Sequence, residues 1–315
     1  MPRSNIFFMG SSINARANGK LLISGEYMVL AGATALALPL RFGQELQVKE
    51  FPVPFIRWTS SEPGNVWFGC DVSPSTCEVI STNDASTASG LSRLLKAARQ
   101  LNPDFPDLKT GSLVEVKANY PVEWGLGSSS TLISLVAGWA KVDPFKLFRM
   151  VSEGSGYDIA CADRSEMIFY RWDGSQPVVT ETSPGKALRE HAYFVSLGNK
   201  QDSRKEVRYF FDNSRFSAAD IETFSGLSKE ISLSQTAEDL SRLVTEHERL
   251  LGGILGKEPI GLRFGNFPGV VKSLGAWGGD FAMFISGAEK KYVLESLHEY
   301  GLKHVFTFDE IKAVS

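Results

Sequence analysis

The chain lacks any apolar run near the roughly 18–20 residues that a membrane-spanning helix needs, which speaks against a bilayer span. Its opening stretch holds only four consecutive apolar residues, Ile6 to Met9, too few for the core of a secretory signal. Cysteine is scarce: Cys70, Cys77 and Cys161 are odd in number and lack the spacing of a metal site, so a reducing cytoplasm is the expected location. Charge of one sign is not in excess. Lys plus Arg is 33, Asp plus Glu is 36, and the net charge is −3; bulk charge therefore argues against a nucleic-acid partner or a membrane-surface partner. There is no internal repeat, no low-complexity tract, no G-x-S-x-G and no H-E-x-x-H, which disfavours repeat architectures and the familiar hydrolases. The four histidines, His191, His247, His298 and His304, fall in the second half away from the glycine motifs described below. Of these, His247 and His298 read as polar helix positions.

What is present suits a folded protein. At 315 residues and 43% apolar, the chain is about two domains long with enough apolar residues for a core. Short strands are expected at Leu21–Ile23, Ala33–Leu38, Gln44–Lys49, Phe55–Thr59 and Val66–Cys70. Leu91, Leu94, Leu95 and Ala98 recur at helical spacing and predict a helix over Asp84–Gln100. Leu113–Ala118 alternates as a half-exposed strand, and Ser128–Trp139 reads as a buried helix. Asp143-Pro144 is a helix start, and Met167–Trp172 a strand. The polar stretch Asp173–Gly185 marks a boundary, within which Pro177–Val179 is a candidate for one more strand. Beyond it come strand Ala192–Leu197, helices Arg204–Phe211, Ala218–Ser232 and Thr236–Leu255, strand Phe281–Ile285, helix Glu289–Tyr300 and strand His304–Phe308. Strands mixed with helices in both halves predict an α+β protein of two lobes, residues 1–182 and 183–315. Residues 1–12 match no motif and read as a disordered lead or a misplaced start.

Four segments carry chemistry. In Pro121-Val122-Glu123-Trp124-Gly125-Leu126-Gly127-Ser128-Ser129-Ser130-Thr131, a strand leads through two glycines into an apolar helix. Glycine lets backbone turn tightly and approach a ligand. The free amides and positive dipole end of the helix start suit a polyphosphate, and serine hydroxyls there can reach Mg²⁺. The bland alternative is a capping serine after a glycine turn. The segment is neither a Walker A loop nor a dinucleotide loop, since Ser130 stands where the third glycine belongs. In Asn18-Gly19-Lys20-Leu21-Leu22-Ile23-Ser24-Gly25-Glu26-Tyr27 a lysine enters a buried run, where it must be paired or functional; Glu26 reads equally as a cap acid. Lys272-Ser273-Leu274-Gly275-Ala276-Trp277-Gly278-Gly279-Asp280 reads as a backbone-approach turn or an ordinary loop. Gly154-Ser155-Gly156-Tyr157-Asp158 sets an acid in the first turn of a helix, either as a dipole partner or as a carboxylate for a substrate hydroxyl.

In this order the four segments resemble the GHMP small-molecule kinase superfamily. The literal Gly156-Tyr157-Asp158-Ile159-Ala160 is similar to its GYDIA-type branch, and the whole to mevalonate and phosphomevalonate kinases. The resemblance implies a first lobe like ribosomal protein S5 domain 2, with a left-handed crossover, and a ferredoxin-like second lobe. It implies ATP on Gly125, Leu126, Gly127, Ser128, Ser129 and Ser130. Asp158 would be the catalytic Asp, as base or as anchor, and Lys20 the lysine that stabilises it. Ser129, with Ser128 as the alternative, would lie on the Mg²⁺ side; the family's metal-sharing Glu has no clear counterpart, Glu153 being misplaced for it. Glu26, Tyr27, Gly275 and Ala276 would lie near the acceptor. Lys200 and Arg204, in the basic turn Gly198–Lys205, would hold an anionic substrate, or form a solvated turn. Asn18 and Trp277 depart from the family pattern. The implied activity is phosphoryl transfer from Mg-ATP to a small anionic molecule, mevalonate or its 5-phosphate, by a monomer or homodimer. A diphosphomevalonate decarboxylase, a nucleotide binder without transfer, and a non-enzymatic interaction protein on the same scaffold are the alternatives.

Overall fold

The computed structural model describes residues 7–9, 12–51, 53–106, 111–198 and 203–314. The chain divides into two compact units. The first comprises Met1–Gly19, Phe42–Val122 and Leu126–Asp163, and the second Lys20–Arg41, Glu123–Gly125 and Arg164–Ser315. The division is thus not a single cut of the chain, and Arg164–Thr182 group with the second unit.

The strands of the first unit are β1 (Phe7–Met9), β2 (Ser12–Ser24), β3 (Ala35–Phe51), β4 (Ile56–Glu62), β5 (Asn65–Val72), β6 (Val79–Thr82) and, after helix α1 (Ala85–Leu101), β7 (Gly111–Ala118). The last residues of β2 and the first of β3 belong to the second unit. The sheet runs β1-β2-β3-β7-β4-β5-β6. Strands β4 and β7 pair in parallel, Ile56 opposite Ser112, and the connection between them carries α1. Leu91, Leu94, Leu95 and Ala98 of α1 are all buried, as their spacing requires, and Asp84 caps its start. They share a core with Trp58, Phe68, Val114, Val116, Val136 and Leu147. Helices α2 (Ser128–Ala140), α3 (Pro144–Val151) and α4 (Tyr157–Cys161) complete the unit. Asp143 caps α3, with Pro144 in its first turn. Two expectations are corrected. Residues Phe7–Met9 are not a disordered lead, because their backbone pairs with β2, Phe7 opposite Asn14. The two short strands expected within 33–49 form one 17-residue strand.

In the second unit β8 (Met167–Trp172) pairs with the first residues of β3, and β9 (Pro177–Thr182) with β8. Then follow α5 (Lys186–His191), β10 (Ala192–Ser196), α6 (Ser203–Asn213), α7 (Ala218–Leu233), α8 (Ala237–Leu255), β11 (Val270–Leu274), β12 (Phe281–Ile285), α9 (Lys290–Glu299), β13 (Val305–Thr307) and the short α10 (Phe308–Ile311). Strands β11-β12-β10-β13 form an antiparallel sheet. A strand, helices, two strands, a helix and a strand, with the fourth strand beside the first and the second at the far edge, is the split βαβ arrangement of ferredoxin-like folds. The expected α+β class therefore holds. Val293 and Leu297 of α9 pack with Phe284, Val271 and Phe264 beneath this sheet. Met28 and Ala33, after β2, pack with Phe224 of α7 and Leu251 of α8.

Candidate functional site

In the first unit, Gly127 adopts φ 96° and ends the glycine loop as the residue before α2. Its carbonyl accepts from the Ser130 and Thr131 amides, both at 3.0 Å. The helix then buries Ile133, Val136, Ala137 and Ala140, which fixes its axis. Thr131 adds a second anchor, its buried hydroxyl donating to Gln44 Oε1 of β3 at 2.6 Å. Gly19 makes the crossing possible. A Cβ there would lie 2.7 Å from the Leu126 carbonyl oxygen and 2.8 Å from that of Phe42, so only glycine lets β2 pass beneath the loop. Gly156, at φ 90°, turns the chain into α4, whose first turn carries Asp158, and the Ser130 hydroxyl donates to the Asp158 carboxylate. The Asn18 amide ties β2 to the Ala162 carbonyl at the other end of α4, at 2.8 Å. Of the loop serines, Ser129 is exposed, Ser128 half-buried and Ser130 buried.

In the second unit, Lys20 is half-buried and its Nζ donates to the Gly125 carbonyl at 3.4 Å. Gly125, at φ 69°, leaves room for Asp280, since a Cβ would meet the Asp280 carboxylate oxygen at 1.8 Å. The first and third glycine motifs also meet. Glu26 is buried, with its carboxylate 2.5 Å from Lys272 Nζ. Lys272 is also buried and donates to the Ser273 carbonyl at 2.8 Å. His247 Nε2 lies 3.2 Å from Glu26 Oε2 and accepts the Gly25 amide at 3.1 Å, a geometry that requires a neutral imidazole at that nitrogen. Burial and the Lys272 charge hold His247 well below its usual range. Burial raises Glu26, against the opposing pull of Lys272 and the Gly275 amide. Burial also pushes Glu248, 3.8 Å from Lys272, up to about 7. Tyr27, at φ 59°, accepts the Trp277 amide at 2.8 Å and donates to Glu206 Oε2 at 3.2 Å; Lys257 holds the same oxygen at 2.7 Å. Trp277 lies against Gly252 of α8, and its indole donates to the Glu258 carbonyl at 3.0 Å.

No family model matches the chain, and no curated protein matches it. Solved structures do. Mevalonate kinase from Methanococcus jannaschii is 15% identical over 100% of both chains, at a TM-score of 0.66. Streptococcus pneumoniae phosphomevalonate kinase, in complex with phosphomevalonate and AMPPNP, is 15% identical over 94% of this chain and 100% of its own, at 0.70. Lactococcus lactis galactokinase, complexed with galactose, is 11% identical over 96% and 93%, at 0.65. The chain has the GHMP-kinase fold.

Within this GHMP fold the expected site residues separate into groups. Ser130 and Asp158 meet in the first unit, where Leu126, Gly127, Ser128 and Ser129 form the loop and helix start. Lys20 meets Gly125, and Glu26 and Tyr27 meet the third motif, in the second unit. Gly275, at φ 76°, and half-buried Ala276 lie in the turn after β11. Arg204 lies in α6, and Lys200 falls outside the described residues. Three readings are corrected. Glu26 is no cap acid, because it is buried against a lysine. Lys272 to Leu274 are not part of a turn but lie in β11. The histidines are not all remote from the motifs: His247 binds Gly25, and His304 packs on Trp124 with ring centroids 4.9 Å apart. Sequence reasoning missed Lys272, His247, Glu248, Gln44 and Glu206. A signal existed for His247, which falls on the buried stripe Leu240, Leu243, Val244, Leu251 of α8, and for Lys272, flanked by Val270, Val271 and Leu274. Among the described residues, no three His, Cys, Asp or Glu side chains come together to hold a metal ion. The donors near the α2 start are hydroxyl and carboxylate oxygens, which fit a hard cation that keeps phosphate and water ligands, as Mg²⁺ does.

Proposed function

We propose that this protein is an ATP-dependent kinase that transfers a phosphoryl group to the hydroxyl of a small anionic acceptor, mevalonate or its 5-phosphate. One observation carries the reading: Asp158 is held by Ser130 at the first turn of α2, the helix start whose leading amides have no partner within the helix. A carboxylate fixed beside an anion-binding helix start is what phosphoryl transfer requires, since that reaction needs positioning and charge cancellation more than covalent help. In this reading the amides from Leu126 to Ser129 hold the nucleotide phosphates. Asp158 orients the acceptor hydroxyl and holds or accepts its proton, and Lys20 supplies positive charge. Ser128 or Ser129, with Asp158, would hold Mg²⁺, which would supply positive charge to offset that of the phosphates. The choice of acceptor is supported by the fold neighbours that are mevalonate and phosphomevalonate kinases. Lys200 and Arg204 are the proposed holders of the acceptor's anionic group, and the cytoplasm is the proposed location.

The test is ADP release by the purified protein with Mg-ATP and mevalonate, phosphomevalonate, homoserine or galactose in turn. Turnover is expected with one of the first two. Asp158→Asn is expected to lower it by about 10²–10⁴-fold while ATP still raises the melting temperature. Turnover of homoserine or galactose overturns the acceptor. Nucleotide binding without transfer overturns the kinase reading, and release of CO₂ points to a decarboxylase.

A further inference from the structure

Ser130 differs from the two serines before it. It is 6% exposed, whereas Ser129 is exposed and Ser128 half-buried. Both of its polar hydrogens are committed within the first unit. Its amide donates to the Gly127 carbonyl at 3.0 Å and its hydroxyl to Asp158 Oδ2. A serine hydroxyl has one hydrogen to give, so this side chain has none to direct at a phosphate while the Asp158 bond is in place. Its place in the helix explains the choice. It is the third residue after Gly127, where the chain has already closed its first turn and the side chain points across to α4. The neighbouring Thr131 binds Gln44 of β3, so α2 is fixed in the register that presents Ser130 to Asp158.

We infer that Ser130 is a positioning residue for Asp158 and not a nucleotide ligand. Its hydroxyl takes one lone pair of Oδ2 and sets the rotation of the carboxylate, leaving Oδ1 to meet the acceptor hydroxyl. The loop serines thereby divide into two kinds, Ser128 and Ser129 for the nucleotide side and Ser130 for the acceptor side. The catalytic consequence rests on the kinase reading above, whereas the bond itself does not.

Three measurements on Ser130→Ala, Ser130→Thr, Asp158→Asn and the double variant Ser130→Ala/Asp158→Asn test this: steady-state transfer, AMPPNP titration and urea unfolding. In steady-state transfer, Ser130→Ala is expected to lose about 10–100-fold in kcat, the effect of a misplaced reacting group. Its KM for ATP and its affinity for AMPPNP should stay within about twofold of the parent, and Ser130→Thr, which keeps the hydroxyl, should recover most of the rate. In urea unfolding, the destabilisations of Ser130→Ala and Asp158→Asn should fail to add in the double variant, as expected for groups that share one bond. A tenfold loss of AMPPNP affinity with kcat retained would make Ser130 a phosphate ligand and overturn the inference. So would an unchanged kcat in Ser130→Ala, or strict additivity in urea. If the parent protein transfers phosphate to no acceptor, the kinase reading fails by itself. The AMPPNP titration and the unfolding cycle still decide whether Ser130 serves Asp158 or the nucleotide.

Discussion

Replacing Lys272 by methionine removes a buried cation from a buried anion. Lys272 is 0% exposed and its partner Glu26 2%. At their 2.5 Å separation, Coulomb attraction at an effective dielectric of about 20 is about 7 kcal/mol. Taking both ions out of water costs several kcal/mol each, so the intact pair contributes little net stability. Breaking it is another matter, because the Glu26 carboxylate stays buried with only its remaining polar neighbours. Lys272→Met is therefore expected to lose about 3–5 kcal/mol at pH 8, read as a lower urea midpoint with unchanged slope. The loss should shrink as pH falls, because Glu26, already raised by burial, then takes a proton and sheds its charge. The double variant Lys272→Met/Glu26→Leu should regain most of the stability, since apolar groups of similar volume replace a buried pair at small cost. A loss under about 1 kcal/mol at pH 8, or a double variant as unstable as the two single losses combined, would refute this reasoning.

Further outcomes follow, two in the same unit and one, at Gly19, in the first unit. Burial lifts Glu248 from 4.5 to about 7, so the folded state holds its proton more tightly than the unfolded chain does. Its contribution is full below pH about 4.5 and is lost as pH rises to about 7. Subtracting the pH–stability curve of Glu248→Gln from that of the parent should expose a loss of up to roughly 3 kcal/mol over that window. His247, kept neutral by burial, gives the opposite slope below its ordinary range, and the subtraction removes it. Tyr27→Phe leaves the buried Trp277 amide without its acceptor and should cost about 1–3 kcal/mol by thermal or urea unfolding. Gly19→Ala forces a Cβ into two carbonyl oxygens. It should destabilise by about 1–3 kcal/mol and weaken AMPPNP binding in a calorimetric titration, because Leu126 must move.

Local rules made much of the fold legible. Helix α1 was set by its leucine spacing and its Asp84 cap, and α3 by Asp143-Pro144, because such signals act over one or two turns. The four glycine motifs were visible for a similar reason, since a backbone that must turn at positive φ selects glycine at Gly25, Gly127, Gly156 and Gly275. Strand pairing was less legible. Nothing in Phe7–Met9 or in Met167–Trp172 names the partner strand, because the hydrogen bonds are made by backbone common to all residues. The second unit also hid its polar interior. A lysine and a glutamate look like surface residues until the fold sets them together, and Lys272 stands 246 residues from Glu26.

The amino-acid order by itself determined where this chain turns, which helices bury which face, and that a glycine loop opens a helix beside candidate phosphate chemistry. Those are properties of neighbours a few positions apart. The folded chain decided that Ser130 is the serine bonded to Asp158, that Gly125 makes room for Asp280, and that Glu26, Lys272 and His247 form one buried group. Each of those depends on which side of an element faces inward and on what lies across from it. Short-range steric and capping preferences cannot encode that, because it is set by the packing of segments far apart in the chain.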